Sequence, residues 1–296
     1  MGRFIDPRAD WAFKRIFGCD DTKECLITFL NGLFKGELVI KDVTFGKTEQ
    51  IKQREDERGV IFDVTCKTED GRIAIVEMQK KEQQYFVDRA LYYSAKAIVG
   101  QGVRGRWNYH LAPVYTVCFM DFEAEYGLPH EFRTDMALCN LKTGRQETEK
   151  LRIVYLQLPL FKEQTEEECK DDILKCWIYI LKNMDEFKEM PFLDKYPVFR
   201  KLAEISDLRK LTPEEHELYD EDIKIMRDLY ATHEFEIKKR QWAVEKALKE
   251  GEEKGVAKEK VEMAKRMLAM GLSLEQVVEC SKLPIKQVMQ LQPSKN

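Results

Sequence analysis

The sequence lacks the patterns that mark several common classes of protein. Its eight cysteines include no C-x-x-C pair and none of the spacing of a structural zinc site. We therefore expect small, mostly buried thiols in a reducing compartment. Nowhere do eighteen uncharged apolar residues follow one another, and no apolar stretch of the signal-peptide kind stands near residue 1. These absences predict a cytoplasmic protein that does not enter a membrane.

The chain also lacks any excess of positive charge. It has 49 lysines and arginines against 53 aspartates and glutamates, which gives a formal net charge of -4. No global positive field draws in a nucleic acid, so any binding of DNA must rest on local basic patches. The 296 residues, of which 44% are hydrophobic, are enough for one sizeable core with an appendage.

Nucleotide-binding loops and histidine pairs are scarce as well. No G-x-x-x-x-G-K-[ST] loop occurs, and the four histidines form no H-x-x-x-H pair. The stretch 100–105 matches G-x-G-x-x-G, but it follows a predicted helix and precedes a predicted strand, the reverse of the order that binds a pyrophosphate. We interpret it as a flexible connection in which Arg104 and Arg106 meet a DNA backbone.

Hydrophobic periodicity predicts a sheet domain followed by helices. Apolar residues three to four apart predict helices over 21–34 and 83–100. Runs rich in Val and Ile predict strands over 38–45, 59–67, 72–79, 113–122, 132–139 and 151–158. The order αβββαβ therefore begins an α/β domain over 1–160, and a helical extension is predicted over 161–250.

The remaining residues, 251–296, are predicted to complete a charged connector and form a small helical module. Lys and Glu crowd the stretch 236–268, which has no broad apolar face and is predicted to be interrupted at Gly251 and Gly255. Ser273 and Gln276 have the spacing of a capping box, and two short helices follow in the manner of a helix-turn-helix with Lys282 in the turn. Few basic residues stand there, so we favour a packing or regulatory module over one that reads bases.

Two carboxylates stand inside apolar strands, where a charge is costly without a compensating partner. A three-residue turn over 69–71, with Gly71 in the left-handed conformation, would place Asp63 directly opposite Glu77. The two like charges would then share a face and repel, unless a divalent cation such as Mg²⁺ lay between them. Gln79 lies on the same face of its strand. The alternative is a structural pair neutralised by Lys or Arg.

These residues give the sequence its resemblance to the PD-(D/E)XK nuclease superfamily, and within it to the recombination-promoting nucleases and the transposases of that family. The resemblance covers most of the chain. The stretches that carry it are FIDPRADWAFKRIFG at 4–18, FDV at 62–64, IVEMQ at 75–79, RALYY at 89–93 and AMGLS at 269–273.

The resemblance implies a restriction-endonuclease-like fold with a mixed sheet, in which residues 1–160 form the nuclease domain. It implies a metal-dependent DNA endonuclease that promotes recombination. Asp63 and Glu77 would be ligands of Mg²⁺, with the carbonyl of Met78 as a third ligand, and Mn²⁺ or Ca²⁺ could take the place of Mg²⁺. DNA is the expected partner, and assembly into a homo-oligomer is left open.

One residue departs from the superfamily pattern. Lys is usual where this chain has Gln79, and a cation there both orients the attacking water and stabilises developing negative charge. Gln79 can position a water but adds no charge. Because Glu-x-Gln is usual in the narrower family, the resemblance implies an active enzyme. The alternative is a catalytically weak DNA-binding or regulatory partner protein on the same fold.

The helix after the hairpin supplies two further candidates. Tyr85, Arg89 and Tyr93 recur every four residues and are predicted to share one face. We expect Arg89 to contact a phosphate or the transition state, and Tyr93 to support it with a hydrogen bond. In the alternative interpretation Arg89 pairs with a structural carboxylate and the tyrosines pack.

A strand-joining transposase would need a third acidic ligand, for which the sequence offers no clear candidate.

Overall fold

The computed structural model describes residues 2–46, 63–81, 84–103 and 105–291. The chain divides into two compact units, Met1–Tyr230 and Ala231–Asn296. The first unit holds the sheet and every candidate site residue. The predicted divisions after residues 160 and 250 remain predictions.

Six strands of the described residues form one mixed sheet in the order β1-β2-β3-β4-β6-β5. They are β1 Val43–Phe45, β2 Val64–Thr68, β3 Ile73–Gln79, β4 Val114–Met120, β5 Arg133–Ala137 and β6 Leu151–Gln157. The pairs β3·β4 and β4·β6 are parallel, and the other pairs are antiparallel. Every residue of β4 is buried, as expected of a central strand that is covered on both faces.

The helices of the first unit cover both faces of the sheet. They are α1 Asp10–Phe17, α2 Lys23–Leu33, α3 Phe86–Val99, α4 Glu166–Cys169, α5 Ile173–Asn183 and α6 Val198–Ser206, followed by the start of α7 Pro213–Ala269. On one face the rings of Phe13, Phe17 and Phe29 lie 5.0 to 6.3 Å from the ring of Phe119 in β4. This aromatic cluster forms the centre of the main core.

Helix α3 covers the opposite face and runs antiparallel to β4. Its first residue, Phe86, packs in one cluster with Met120 at the end of β4. Ala97, near the end of the helix, packs with Val114 at the start of β4. The order of these contacts places the beginning of α3 at the edge of the sheet where β3 and β4 end.

The second unit consists of the rest of α7 with α8 Leu274–Ser281 and α9 Ile285–Gln290. Ala264, Val277, Leu283 and Val288 form its small core. The capping box before α8 is confirmed, because Ser273 and Gln276 exchange side-chain to backbone hydrogen bonds of 2.9 and 3.3 Å. Among the residues described, no helix is long and apolar enough to span a membrane.

The predicted α/β architecture, a mixed sheet followed by a helical C-terminal region, is confirmed, with three corrections to its elements. Helix α1 was not predicted, so the helix over 21–34 does not open the domain. The first strand is limited to Val43–Phe45 instead of 38–45, because the chain reaches its partner β2 only there. Gly251 and Gly255 lie within α7 and do not interrupt it. The first four residues predicted for the second strand, 59–62, lie outside the described residues.

Candidate metal centre

The hairpin formed by β2 and β3 has the register expected from the sequence. Val64 faces Val76, so the next residues along, Asp63 and Glu77, stand opposite each other. The turn closes with a 2.9 Å hydrogen bond from the Thr68 backbone N–H to the Arg72 carbonyl. Gly71 has a φ of 89°, which a residue with a side chain rarely adopts. The prediction that this turn brings the two carboxylates together is confirmed.

Asp63 and Glu77 bind each other's strands through their side chains. The Met78 backbone N–H donates to Oδ2 of Asp63 at 2.8 Å. The Asp63 backbone N–H donates to Oε1 of Glu77 at 3.3 Å. Only 5% of Glu77 is exposed. These bonds fix both carboxylates at the end of the hairpin, where they are neighbours.

Both acids hold their protons more tightly than usual. Burial raises the pKa of Asp63, and the negative charge of Asp10 acts in the same direction. Burial and the nearby Asp63 carboxylate raise the pKa of Glu77 to about 8, although Arg89 and Lys14 oppose the change. The surrounding cations therefore do not fully offset the cost of two buried, adjacent negative charges.

Gln79 links the carboxylate pair to α3. Its Nε2 donates to Oε2 of Glu77 at 3.4 Å. Its Oε1 accepts a hydrogen bond from a terminal nitrogen of Arg89. A guanidinium can only donate, so the amide oxygen must face Arg89 and the amide nitrogen Glu77. The side chain of Gln79 thereby holds Arg89 beside the carboxylates.

Tyr93 and Arg89 lie together within α3, whereas Tyr85 is the N-cap residue that precedes the helix. The Arg89 guanidinium lies over the rings of Phe86 and Tyr93, with centroid distances of 5.6 and 5.7 Å. Burial raises the pKa of Tyr93, which also feels the charges of Arg89 and Glu77. Tyr85 precedes α3 in the left-handed conformation, with a φ of 63°, and 68% of it is exposed.

Sequence reasoning assigned no role to a second set of charges at the site, which comes from α1 and the end of β3. Lys80 forms a 2.8 Å ion pair with Asp10. Lys14, one helical turn beyond Asp10, opposes the rise in pKa of both Asp63 and Glu77. The available signal was the spacing of Asp10 and Lys14, four residues apart, within the stretch 4–18. The missing step was to recognise that stretch as a helix.

A comparison with protein families shows the family to which the chain belongs. The profile of the PD-(D/E)XK nuclease family transposases matches residues 7–236. The chain belongs to this family. No curated protein and no solved structure gave a match in the corresponding comparisons. The family match covers the whole sheet, both candidate carboxylates and the helices that pack around them.

Nucleases of the PD-(D/E)XK type commonly use a divalent metal, and the donor set of this member fits one. Two carboxylates that converge with raised pKa values are the donors that Mg²⁺ accepts, with water and phosphate oxygens completing its shell. The Met78 side chain belongs to the main core, so only its carbonyl could contribute. Within the described residues, no cluster of three or more His, Cys, Asp and Glu side chains could hold a metal ion.

Proposed function

We propose that this family member is a metal-dependent DNA endonuclease that hydrolyses phosphodiester bonds and so promotes recombination. The observation that carries the proposal is the convergence of Asp63 and Glu77 at the end of one hairpin, each engaged by the other's strand. Such a pair is costly to keep in an apo protein, and a divalent cation removes that cost.

In the proposed site Asp63, Glu77 and the Met78 carbonyl would hold Mg²⁺, with Mn²⁺ or Ca²⁺ as substitutes. A divalent cation held there would neutralise negative charge on a phosphate and lower the pKa of a bound water. Asp63 and Glu77 fix the position of that charge, because their backbone and side-chain hydrogen bonds leave them little freedom.

Gln79 and Arg89 together would replace the lysine that is usual in the superfamily. Gln79 keeps one amide hydrogen and one oxygen lone pair beyond its bonds to Glu77 and Arg89, and these could orient a water. Arg89 supplies the positive charge that Gln79 lacks, in a planar form suited to a phosphate. Tyr93 supports the Arg89 guanidinium through its ring face.

The alternative function is a DNA-binding or regulatory protein with little turnover. It is favoured by one observation, the engagement of both ends of the Gln79 amide within the protein. In that case Gln79 would be a structural bridge, and no residue of β3 would position a water. Strand joining by three acidic ligands is less well supported, because no such cluster occurs in the part of the chain that the structure describes.

Cleavage of supercoiled plasmid DNA tests the proposal. We expect wild-type protein to nick or linearise the plasmid only when Mg²⁺ or Mn²⁺ is present, and Asp63→Ala to abolish this. Asp42→Ala is the matched control, because Asp42 is an exposed carboxylate in an ion pair with Lys23 at 2.6 Å. Cleavage by Asp63→Ala at the wild-type rate, or cleavage without metal, would contradict the assignment.

A further inference from the structure

Aromatic and basic side chains alternate along α3, beginning at the candidate metal centre. Arg89, Tyr92 and Lys96 recur at spacings of three and four residues and therefore lie along one side of the helix. Tyr85 stands one turn before Arg89 at the start of the helix. In Tyr85 and Tyr92, 68% and 44% of the residue is exposed. Exposed aromatic rings that lie together among cations are a feature of binding surfaces for single-stranded nucleic acids.

A second aromatic platform follows where α3 ends. The rings of Trp107 and Tyr109 lie 4.8 Å apart at an angle of 34°. Tyr109 has a φ of 58°, which is unfavourable for a bulky residue, and 79% of it is exposed. Trp107 lies beside Gly102, where a Cβ would approach its ring to 3.7 Å. The strained backbone thus presents a ring to solvent just beyond the helix.

We propose that these residues form a track for single-stranded DNA that leads into the metal centre. The track, named here the α3 track, consists of Tyr85, Arg89, Tyr92, Lys96, Trp107 and Tyr109. The inference rests on the proposed function for its choice of DNA, and it adds the substrate class: a DNA that carries an unpaired segment.

Base stacking is the interaction that the α3 track offers in quantity. Every unpaired base presents a π-face, and exposed Tyr and Trp rings bind it without regard to sequence. In a duplex the same faces are covered by neighbouring bases, so only the phosphates could be contacted. With Arg89 and Lys96 as its cations, the track has a small electrostatic contribution and depends on stacking.

The dimensions of α3 agree with this occupant. Its 14 residues extend about 21 Å at 1.5 Å per residue, long enough to contact several unpaired nucleotides. Arg89 is hydrogen bonded to Gln79, so a strand bound along the track would reach the carboxylate pair at the beginning of the helix. The Lys96 ammonium lies 5.8 Å from the ring centroid of Tyr92, close enough for one nucleotide to meet both a ring and a cation.

Fluorescence anisotropy with the full chain tests the α3 track apart from catalysis. The probes are a labelled oligothymidylate of about twelve nucleotides, within the usual range of site sizes, and a duplex of equal length, both in EDTA. We expect Tyr92→Ala to weaken binding of the single strand by about 5- to 100-fold while duplex binding stays within about twofold. Tyr92→Phe keeps the ring and should bind as wild type. Trp242→Ala, which removes an exposed ring of the second unit, should have no effect.

Salt dependence separates the cations from the rings. Lys96→Ala should reduce the slope of log affinity against log salt by about 0.7, the value for one phosphate contact on a single strand. Tyr92→Ala should leave that slope unchanged, since stacking releases no counterions.

Several outcomes would overturn the α3 track, and one would overturn the proposed function instead. Equal losses for single strand and duplex, or no loss in Tyr92→Ala, would exclude stacking at this surface. A change of oligomeric mass in Tyr92→Ala without a change in oligonucleotide affinity would make the surface a protein interface. If metal-dependent cleavage fails but single-strand binding depends on Tyr92, the proposed function is wrong and the track stands. If metal-dependent cleavage occurs and Tyr92→Ala binds the single strand normally, the α3 track is wrong and the proposed function stands.

Discussion

Glu77 and Asp207 are both buried carboxylates of the first unit, but their surroundings have opposite effects. Asp207 is 1% exposed and pairs with Arg209 at 2.8 Å and with Arg3 at 2.7 Å. Hydrogen bonds from Arg209 and Arg3 hold the pKa of Asp207 well below its usual range. Burial and Asp63 instead raise the pKa of Glu77 to about 8.

The difference shows how a structural carboxylate can be told from one that awaits a ligand. Asp207 carries its own counterions, so it contributes to folding without any further partner. Glu77 stands beside a second carboxylate, and the charges of Arg89 and Lys14 do not offset that neighbour and the cost of burial. Charge compensation from outside the chain is therefore expected at Glu77 and not at Asp207.

Outside the two proposed ligands, the largest expected effect is on turnover, at the residue that bridges Glu77 and Arg89. We expect Gln79→Ala to lower the single-turnover rate of DNA cleavage by about 10²- to 10⁴-fold, the range for one positioned catalytic group. Metal affinity should change little, because Gln79 is not a proposed ligand. Cleavage rates measured against Mg²⁺ concentration separate the two quantities.

Arg89→Ala provides the partner for a double-mutant cycle with Gln79→Ala. Because the two side chains are hydrogen bonded, their effects on the rate should be less than additive. Additive losses would mean that Gln79 and Arg89 act separately, and a wild-type rate in Gln79→Ala at saturating metal would remove Gln79 from the chemistry.

The next effect is on stability, at Asp207. Asp207→Ala should lower the free energy of unfolding by about 2 to 4 kcal/mol, since it removes several charged hydrogen bonds and leaves Arg3 and Arg209 without their acceptor. Glu77→Gln should not destabilise the metal-free protein. Urea unfolding of the two variants beside wild type provides the measurement. Destabilisation of the same size in both would show that Glu77 and Asp207 have the same structural role.

A smaller effect on the free energy of unfolding is expected from a change of pH. A carboxyl group whose pKa is raised on folding stabilises the folded state fully below its unfolded pKa, and that contribution is lost as pH rises through the folded pKa. For Glu77 the loss should extend from its ordinary value of 4.5 to about 8. The unfolding free energy of metal-free wild type should therefore fall across this range relative to Glu77→Gln. Parallel pH profiles of the two proteins would contradict the raised pKa.

The smallest expected effect concerns helix α7, at two glycines that belong neither to the candidate site nor to a buried ion pair. Apart from the adjoining residues and backbone of α7 itself, nothing lies within 4 Å of a Cβ added at Gly251 or Gly255. Replacing either by Ala should stabilise the helix by about 1 kcal/mol, because glycine is a poor helix former. Limited proteolysis should cut wild type first near these glycines, and more slowly in Gly251→Ala. First cuts within 1–160 would contradict the proposed domain division.

The register of the β2–β3 hairpin could be predicted from neighbouring residues in the sequence, whereas the contacts of the hairpin with α3 could not. The left-handed Gly71 and the alternation of the flanking residues determine which residues face each other, so the pairing of Asp63 with Glu77 follows from the sequence. The hydrogen bond between Gln79 and Arg89 joins a strand to a helix that packs on one face of the sheet. No spacing along the chain specifies this contact.

Helix α1 was missed for a related reason. It has eight residues, and its N-cap is Ala9, which makes no side-chain cap. Tertiary packing of Phe13 and Phe17 against Phe119 stabilises this helix instead. The position of Asp10 and Lys14 beside the carboxylate pair depends on that packing.

Direct titration of the metal tests the central claim, that Asp63 and Glu77 hold a divalent cation. Calorimetry with Mg²⁺ and Mn²⁺ should be carried out above the value of about 8 to which the pKa of Glu77 is raised, so that protons do not compete. We expect wild type and Asp42→Ala to bind alike. Asp63→Ala and Glu77→Gln should each lose more than the roughly 10- to 100-fold typical of changes outside the ligand shell. Equal binding by all four proteins, or none by wild type, would contradict the account.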